Sequence, residues 1–511
     1  MKIVKRTIGQ QLDLIASQYP ENPAVTCGAE CLTYRQLLEQ VDDAAKGLLA
    51  LGIRHGTHMA VVGQNGIPLL TCLLAGLRIG AVCVTSSCRL PADALIQRLR
   101  DTDTHWLFDD APVRRAAAAE NGIRTICMSD LETLIRSGEE ISDADLAAAM
   151  AAVMPEDTDV ILFTSGTTSS PKAVLTTHLS RLNNALSMVQ CNEILPKDRF
   201  CVALPMNHCF CLTANIFAPL CSGACICFTK DHHSQNVLST IEKEHCTIMH
   251  GVPTLFFSAA RRQEQEKRDI SSLRMGMIGG AGYTPEQFRW AAKVLSFALI
   301  PSLGQTEATA GITVGNFDDS ESVKSTTVGQ LFPGIEARFC DPVTRRVLPD
   351  GEIGELCIRG YNVMQGYYGI PDSDAIDADG FLHTGDLGSM DGKGNITLCG
   401  RCKDIIIRGG ENIAPAEVEG VLSRIPGIRD VKVIGVPDDH FGEELCACVI
   451  CENTVTAEEV RQAAAKSLPH YKLPRYVVSL EAFPFSETGK IRKQELLKTA
   501  VQAIKADLLR Q

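Results

Sequence analysis

Membrane-spanning length is the first thing the sequence lacks. Its most apolar stretch, from Ile67 to Ser87, is broken by Arg78 and by short punctuated runs, so it reads as a buried helix followed by a buried strand. A basic excess is missing too: 49 Lys and Arg stand against 61 Asp and Glu, a net charge of −12. That excludes a general attraction to nucleic acid or to anionic lipid. The first residues, "MKIVKRTIGQQLDLIASQY", carry no apolar leader core, and "ADLLRQ" at the other end carries no lipidation or retention tag. A cytoplasmic enzyme without stable membrane insertion is the expectation. Internal repeats and low-complexity tracts are absent.

What is present in excess is cysteine, 21 residues, six of them between Cys201 and Cys227. That stretch has no CxxC pair, and "GACICF" alternates as a strand would. Buried reduced thiols acting as small hydrophobes are the expected state. At 511 residues with 45% hydrophobic and 22% charged content, the chain is an ordinary globular composition too long for one core.

Amphipathic helices such as "LTYRQLLEQVDDAAKGLLALG" alternate with apolar strands such as "HMAVVGQNG" through "FALIPSLGQTEA". The alternation predicts parallel sheets covered by helices. From Val328 to Asn395 the texture becomes short glycine-punctuated strands ("GEIGELCIRG", "GYYG"), a small antiparallel sheet or barrel. After "CGRCKDIIIRGGENIAP" comes an α+β segment with a helix begun by Pro415. The expected fold is therefore α/β. A large N-terminal domain (1–400) with a barrel-like sheet is joined by a hinge (401–404) to a small C-terminal domain (405–511).

The stretch "ILFTSGTTSSPKAVLTTH", Ile161 to His178, places six hydroxyls, a glycine and a lysine between two apolar runs. It suits phosphate, yet it is not the helix-entering P-loop. Pro171 precedes Lys172 and has no N–H to donate, Ala173 stands where a magnesium-binding hydroxyl belongs, and "AVLTTH" reads as a strand. Other candidates are weaker one by one. Lys490 in "PFSETGKIRK" could be a solvated lysine, and Asp386 in "FLHTGD" a turn former. Glu307 in "LGQTEAT" is a fair ligand for a hard cation or a helix cap. Arg401 could hold only a boundary salt bridge.

In order along the chain, "FTSGTTSSPK", "PMNHCF", "GGAG", "LGQTEAT", "FLHTGD", "GRCKDIIIRGGENIAPAEVE" and "PFSETGK" resemble the adenylate-forming superfamily, in its acyl-CoA synthetase branch. The likeness runs from about Thr7 to Leu497. It implies an acyl-adenylate made from a carboxylate and ATP with Mg²⁺, then transfer of the acyl group to coenzyme A. By this resemblance Thr164, Ser165, Gly166, Thr167, Thr168 and Lys172 form a loop over the β- and γ-phosphates. Glu307, with Thr167, holds the metal, Thr306 contacts the α-phosphate, and Gln305 is a further nucleotide-binding residue. Gly280 and Ala281 line the adenine, and Asp386 takes the ribose with Arg401 beside it. Lys490 bridges carboxylate, α-phosphate and ribose. Lys403 matches the hinge, and Arg408, Gly409, Gly410 and Glu411 would border the CoA arm. The sequence departs from the family at Ser169, usually glycine, and Leu303, usually an aromatic that stacks on adenine.

The same resemblance assigns an acyl pocket to His208, Phe210, Asn215, Phe217, Val252, Ala281, Gly304 and Ile312. No acid occurs in "PMNHCFCLTANIFAPL", so a free amino acid is disfavoured. A neutral-tailed acid, medium-chain fatty or aryl, fits the lining, with small residues such as Gly304 suggesting room. His208 reads as a gate or wall rather than a base. Loading of a partner's carrier-protein phosphopantetheine is the alternative acceptor, and a non-catalytic nucleotide-binding regulator the remote one. The sequence is compatible with a homodimer and does not establish one.

Overall fold

The computed structural model describes residues 2–164, 171–371, 373–438, 440–451, 456–484 and 491–508. Local sequence explains the helices. In Tyr34–Ala50, Tyr34, Leu37, Val41, Ala44, Ala45 and Leu48 are buried at helical spacing. Thr33 caps the start: its side chain accepts from the Gln36 N–H, and the Gln36 side chain accepts from the Thr33 N–H. The apolar stretch divides as expected, into the buried helix Ile67–Arg78 and the buried strand Val82–Thr85. Arg78 is buried against Asp42 and Asp13. No helix among the described residues is long and apolar enough to cross a membrane.

Two sheets dominate the large domain. The first has seven strands in the order 366–367, 173–177, 158–163, 82–85, 58–62, 106–109, 124–126. Its last five are parallel, and 173–177 runs antiparallel to 158–163. The second runs 30–33, 23–27, 225–228, 199–202 and continues through bridges at Ile248 to 275–278, 298–305, 310–314 and 330–331. Cys225–Phe228 lies inside it with all four residues buried. The alternation read in "GACICF" is therefore not an inside–outside pattern, because a parallel-sheet strand is covered on both faces. Thirteen of the 21 cysteines are buried and all are free thiols, the state expected of small hydrophobes.

A third sheet, 335–340, 354–360, 382–390 and 396–401, is antiparallel, as the glycine-punctuated texture predicts. "GYYG" is the exception: Gly366–Tyr367 leaves this sheet and pairs with Val174 and Leu175 at the edge of the seven-stranded one. Beyond the short 3₁₀ turn Cys402–Asp404, a small sheet is built around Gly442–Cys451. Period-2 geometry places Leu445, Ala447 and Val449 in one apolar cluster and Cys446, Cys448 and Ile450 in another. The small domain thus has its own core on each face of its sheet.

Candidate active site

The hydroxyl-rich loop springs from two antiparallel strands, Thr158–Phe163 and Ala173–Thr177, with Phe163 opposite Ala173. Beyond that pair the Thr164 N–H donates to the Lys172 carbonyl at 2.9 Å, and the Lys172 N–H donates to Thr164 Oγ1 at 3.1 Å. The strand–loop–strand reading is what the structure shows, with both loop ends pinned. Ser165, Gly166, Thr167, Thr168 and Ser169 lie outside the described residues, as does Lys490.

Lys172 stands over the Tyr367 ring, Nζ 4.5 Å from its centroid, and the Tyr367 hydroxyl donates to Glu307 Oε1 at 3.0 Å. Burial, and then the neighbouring Glu307 charge, push the Tyr367 phenol up, so it stays a donor to the carboxylate. A cation, an aromatic hydroxyl and a carboxylate are thereby joined from three separated segments. Sequence reasoning missed Tyr367; its only signal was an aromatic in a two-residue strand.

Glu307 sits in the turn Thr306–Ala308 that follows the strand Ala298–Gln305. Gly280 and Ala281 follow Met275–Ile278, its parallel neighbour. Both groups lie beyond strand carboxyl ends, where open α/β sheets bind ligands. Thr306 Oγ1 donates to Cys209 Sγ at 3.6 Å, which brings "PMNHCF" against "LGQTEAT". Leu303 is half-buried in the same strand. Asp386 is buried and pairs with Arg401 across the antiparallel sheet, Nε to Oδ1 2.8 Å. Its neighbour Lys403 has its ammonium pKa lowered by burial and then by Arg401.

The residues expected to line an acyl pocket separate into two groups. His208, Phe210, Val252 and Ala281 are half-buried, and a Cβ at Gly280 would lie 3.5 Å from Val252 Cγ1. Phe217 and Ile312 are core residues. The Phe217 ring lies under the Arg181 guanidinium and borders a void with Ile8 and Leu12. Gly304 is small for a reason other than pocket space. A Cβ there would sit 1.5 Å from the Ala310 carbonyl oxygen, so the backbone itself occupies that volume. Asn215 is fully buried in a π-helix, Cys211–Phe217, with neither amide atom hydrogen-bonded. Such helices cluster at functional sites, and nothing in "CLTANIF" announced one.

On the small domain, Gly409 and Gly410 have φ +57° and +91°, a turn few other residues would tolerate. Glu411 is exposed. Arg408 is not poised toward an open cleft: its Nε donates to the buried Glu444 at 2.6 Å, and its guanidinium lies 4.5 Å from the Phe441 ring centroid.

The profile of the AMP-binding enzyme family matches residues 12–368, and that of the AMP-binding enzyme C-terminal domain matches residues 417–490. The chain belongs to the adenylate-forming AMP-binding enzymes. Similar proteins include a Rhodococcus jostii CoA ligase for a methyl-dioxo-octahydroindenyl propanoyl group, 32% identical over 96% of this chain and 98% of the relative. Another is the mitochondrial medium-chain acyl-CoA ligase ACSF2 of Rattus norvegicus, 30% identical over 98% of this chain and 89% of the relative. The structure of o-succinylbenzoate CoA synthetase (MenE) from Bacillus subtilis with ATP and magnesium ion superposes with a TM-score of 0.84. It is 26% identical and covers 97% of this chain and 100% of that one.

In this AMP-binding enzyme a buried hub supports the loop strands. Arg181 is fully buried and bonds Asp159, Thr176 and Thr213. Thr213 Oγ1 donates to the Thr309 carbonyl at 2.8 Å, two residues after Glu307. The hub therefore ties the strands of the hydroxyl-rich loop, the π-helix and the Glu307 turn together.

Proposed function

We propose that this AMP-binding enzyme is an ATP-dependent acid–CoA ligase acting on a neutral-tailed medium-chain or aryl acid. In the first half-reaction a carboxylate oxygen attacks the α-phosphorus, and pyrophosphate leaves. In the second the CoA thiolate attacks the acyl carbonyl, and AMP leaves. The observation that carries the reading is the Lys172–Tyr367–Glu307 assembly at the strand ends. It offers a cation to a phosphate and, beside it, a carboxylate oriented by a hydroxyl.

That donor set fits magnesium, a hard cation that takes few carboxylates and keeps its other contacts for phosphate oxygens. Bound there by Glu307, the ion would neutralise charge on the departing pyrophosphate. Asp386, fixed by Arg401, is positioned to accept ribose hydroxyls, and Gly280–Ala281 to back the adenine. Lys490 is assigned the oxygen that passes from carboxylate to phosphate anhydride, with residues 401–404 as the hinge that carries it in and out. Domain limits of 1–400 and 405–511 follow from that hinge.

The absence of any acid between Pro205 and Leu220, with Val252 and Ala281 half-buried beside Gly280, supports an uncharged tail. Acid-dependent ATP–pyrophosphate exchange against fatty acids of graded length, aryl acids and amino acids tests this. Exchange with a medium-chain or aryl acid and a CoA thioester by mass are expected; exchange confined to amino acids or diacids overturns the substrate assignment. A product carried only on an added carrier protein overturns the acceptor.

A further inference from the structure

Outside the nucleotide site, the small antiparallel sheet gathers chemistry that adenylation does not use. Glu355 and Cys357 lie on one face of the strand Gly354–Gly360. Cys340 is opposite Glu355 on one neighbour and His383 opposite Cys357 on the other. One ligand atom each from Glu355, Cys357 and His383 lies within 4.8 Å of the others. His383 Nδ1 is 2.8 Å from Glu355 Oε2 and 3.4 Å from Cys357 Sγ. Cys340 and Cys357 lie together in one small buried cluster with Phe381. We propose that Glu355, Cys357 and His383 form a structural site for a thiophilic divalent cation, zinc by its chemistry, with the fourth position beside Cys340.

Thiolate, imidazole and carboxylate together select zinc over magnesium or calcium. Bonds of roughly 2.0–2.3 Å in a tetrahedron put ligand atoms about 3.4 Å apart. The N–S distance already meets this, and the N–O distance needs to open by about half an ångström. The surroundings have the arrangement that orients metal ligands. His383 Nε2 faces Asp377 Oδ2 at 3.5 Å, fixing the ring from behind, and Glu355 Oε1 accepts from the Gly385 N–H at 3.0 Å. Both His383 and Glu355 are about nine-tenths buried.

Charge balances as well. Zinc replaces the thiol proton of Cys357, which goes to solvent, and the resulting thiolate and the Glu355 carboxylate offset its two positive charges, while a neutral His383 binds through Nδ1 with its proton on Nε2 toward Asp377. The Arg338–Asp377 pair beside them stays neutral. A cation here would brace the turn through Gly385, one residue before Asp386, so the site stiffens the ribose-side carboxylate without touching nucleotide.

The test uses the full-length chain, stripped with chelator, reloaded with zinc and dialysed. One zinc per chain by elemental analysis is expected. With cobalt in place of zinc, an intense near-ultraviolet thiolate-to-metal band is expected, which an all-oxygen magnesium site cannot produce. Cys357→Ser and His383→Gln should abolish the band and cut zinc at least about tenfold, while Cys127→Ser, a thiol far along the chain, keeps both. Wild-type protein that holds no zinc and shows no cobalt band overturns the site, even if the variants fail to fold. Retention of the band by folded Cys357→Ser, judged by circular dichroism, overturns it equally.

Discussion

Tyr367 is the residue whose role rests most directly on geometry. Its hydroxyl donates to Glu307, and its ring carries the Lys172 ammonium. A hydrogen bond to a charged group is worth about 1.5–3 kcal/mol. Tyr367→Phe keeps the ring and should therefore lower kcat/KM for adenylation roughly ten- to hundredfold, measured by pyrophosphate exchange. An unchanged kcat/KM would remove the hydroxyl from the mechanism. Lys490→Ala tests the companion assignment and should cost about 3–5 kcal/mol of transition-state stabilisation; near-normal exchange would refute it. Arg181 predicts a different loss. Arg181→Met leaves Asp159 buried and uncompensated, so unfolding free energy should fall by about 3–5 kcal/mol. The double variant with Asp159→Leu should recover a large part, as urea titration would report.

How legible a residue was depended on where its partners lie. Lys172 and Glu307 belong to local motifs, so their neighbours along the chain announced them. Tyr367 and Arg181 draw their meaning from segments 60 and 22 positions away, and a lone arginine on a helix looks like surface until the helix is packed. Phe217 shows the converse: the pocket expected of it belongs to a motif position, while its ring fills the core under Arg181.

At the scale of elements, the patterns that survive folding are those whose period matches their surroundings. Tyr34–Ala50, the buried pair Ile67–Arg78 and Val82–Thr85, and the antiparallel sheet were all readable. A π-helix was not, because it widens one turn without changing residue types. Gly366–Tyr367 was not, because two residues carry no period at all. The 3₁₀ turn Cys402–Asp404 is the element on which the proposed hinge depends. Lys403→Pro fixes φ there. It should leave pyrophosphate exchange near normal and slow thioester formation by about tenfold or more. Equal loss of both half-reactions, in single-turnover measurements, would count against rotation.

For the whole molecule, the decisive fact is that among the described residues the apolar clusters of the small domain contain only residues from Ile406 onward, and those of the large domain only residues up to Leu398. Calorimetry should then resolve two transitions. Truncation after Asp404 should delete one and move the other by no more than about 2–4 °C; a single transition that collapses on truncation would show one cooperative body.

The carbonyl of Ala310 occupying the place of a side chain at Gly304 reaches beyond this mechanism. Anyone reshaping the protein toward longer or shorter acids would naturally randomise the smallest residue near the cleft, and there a library should return only its parent. Diversity belongs at Val252 and Ala281 instead, whose side chains are only half-buried.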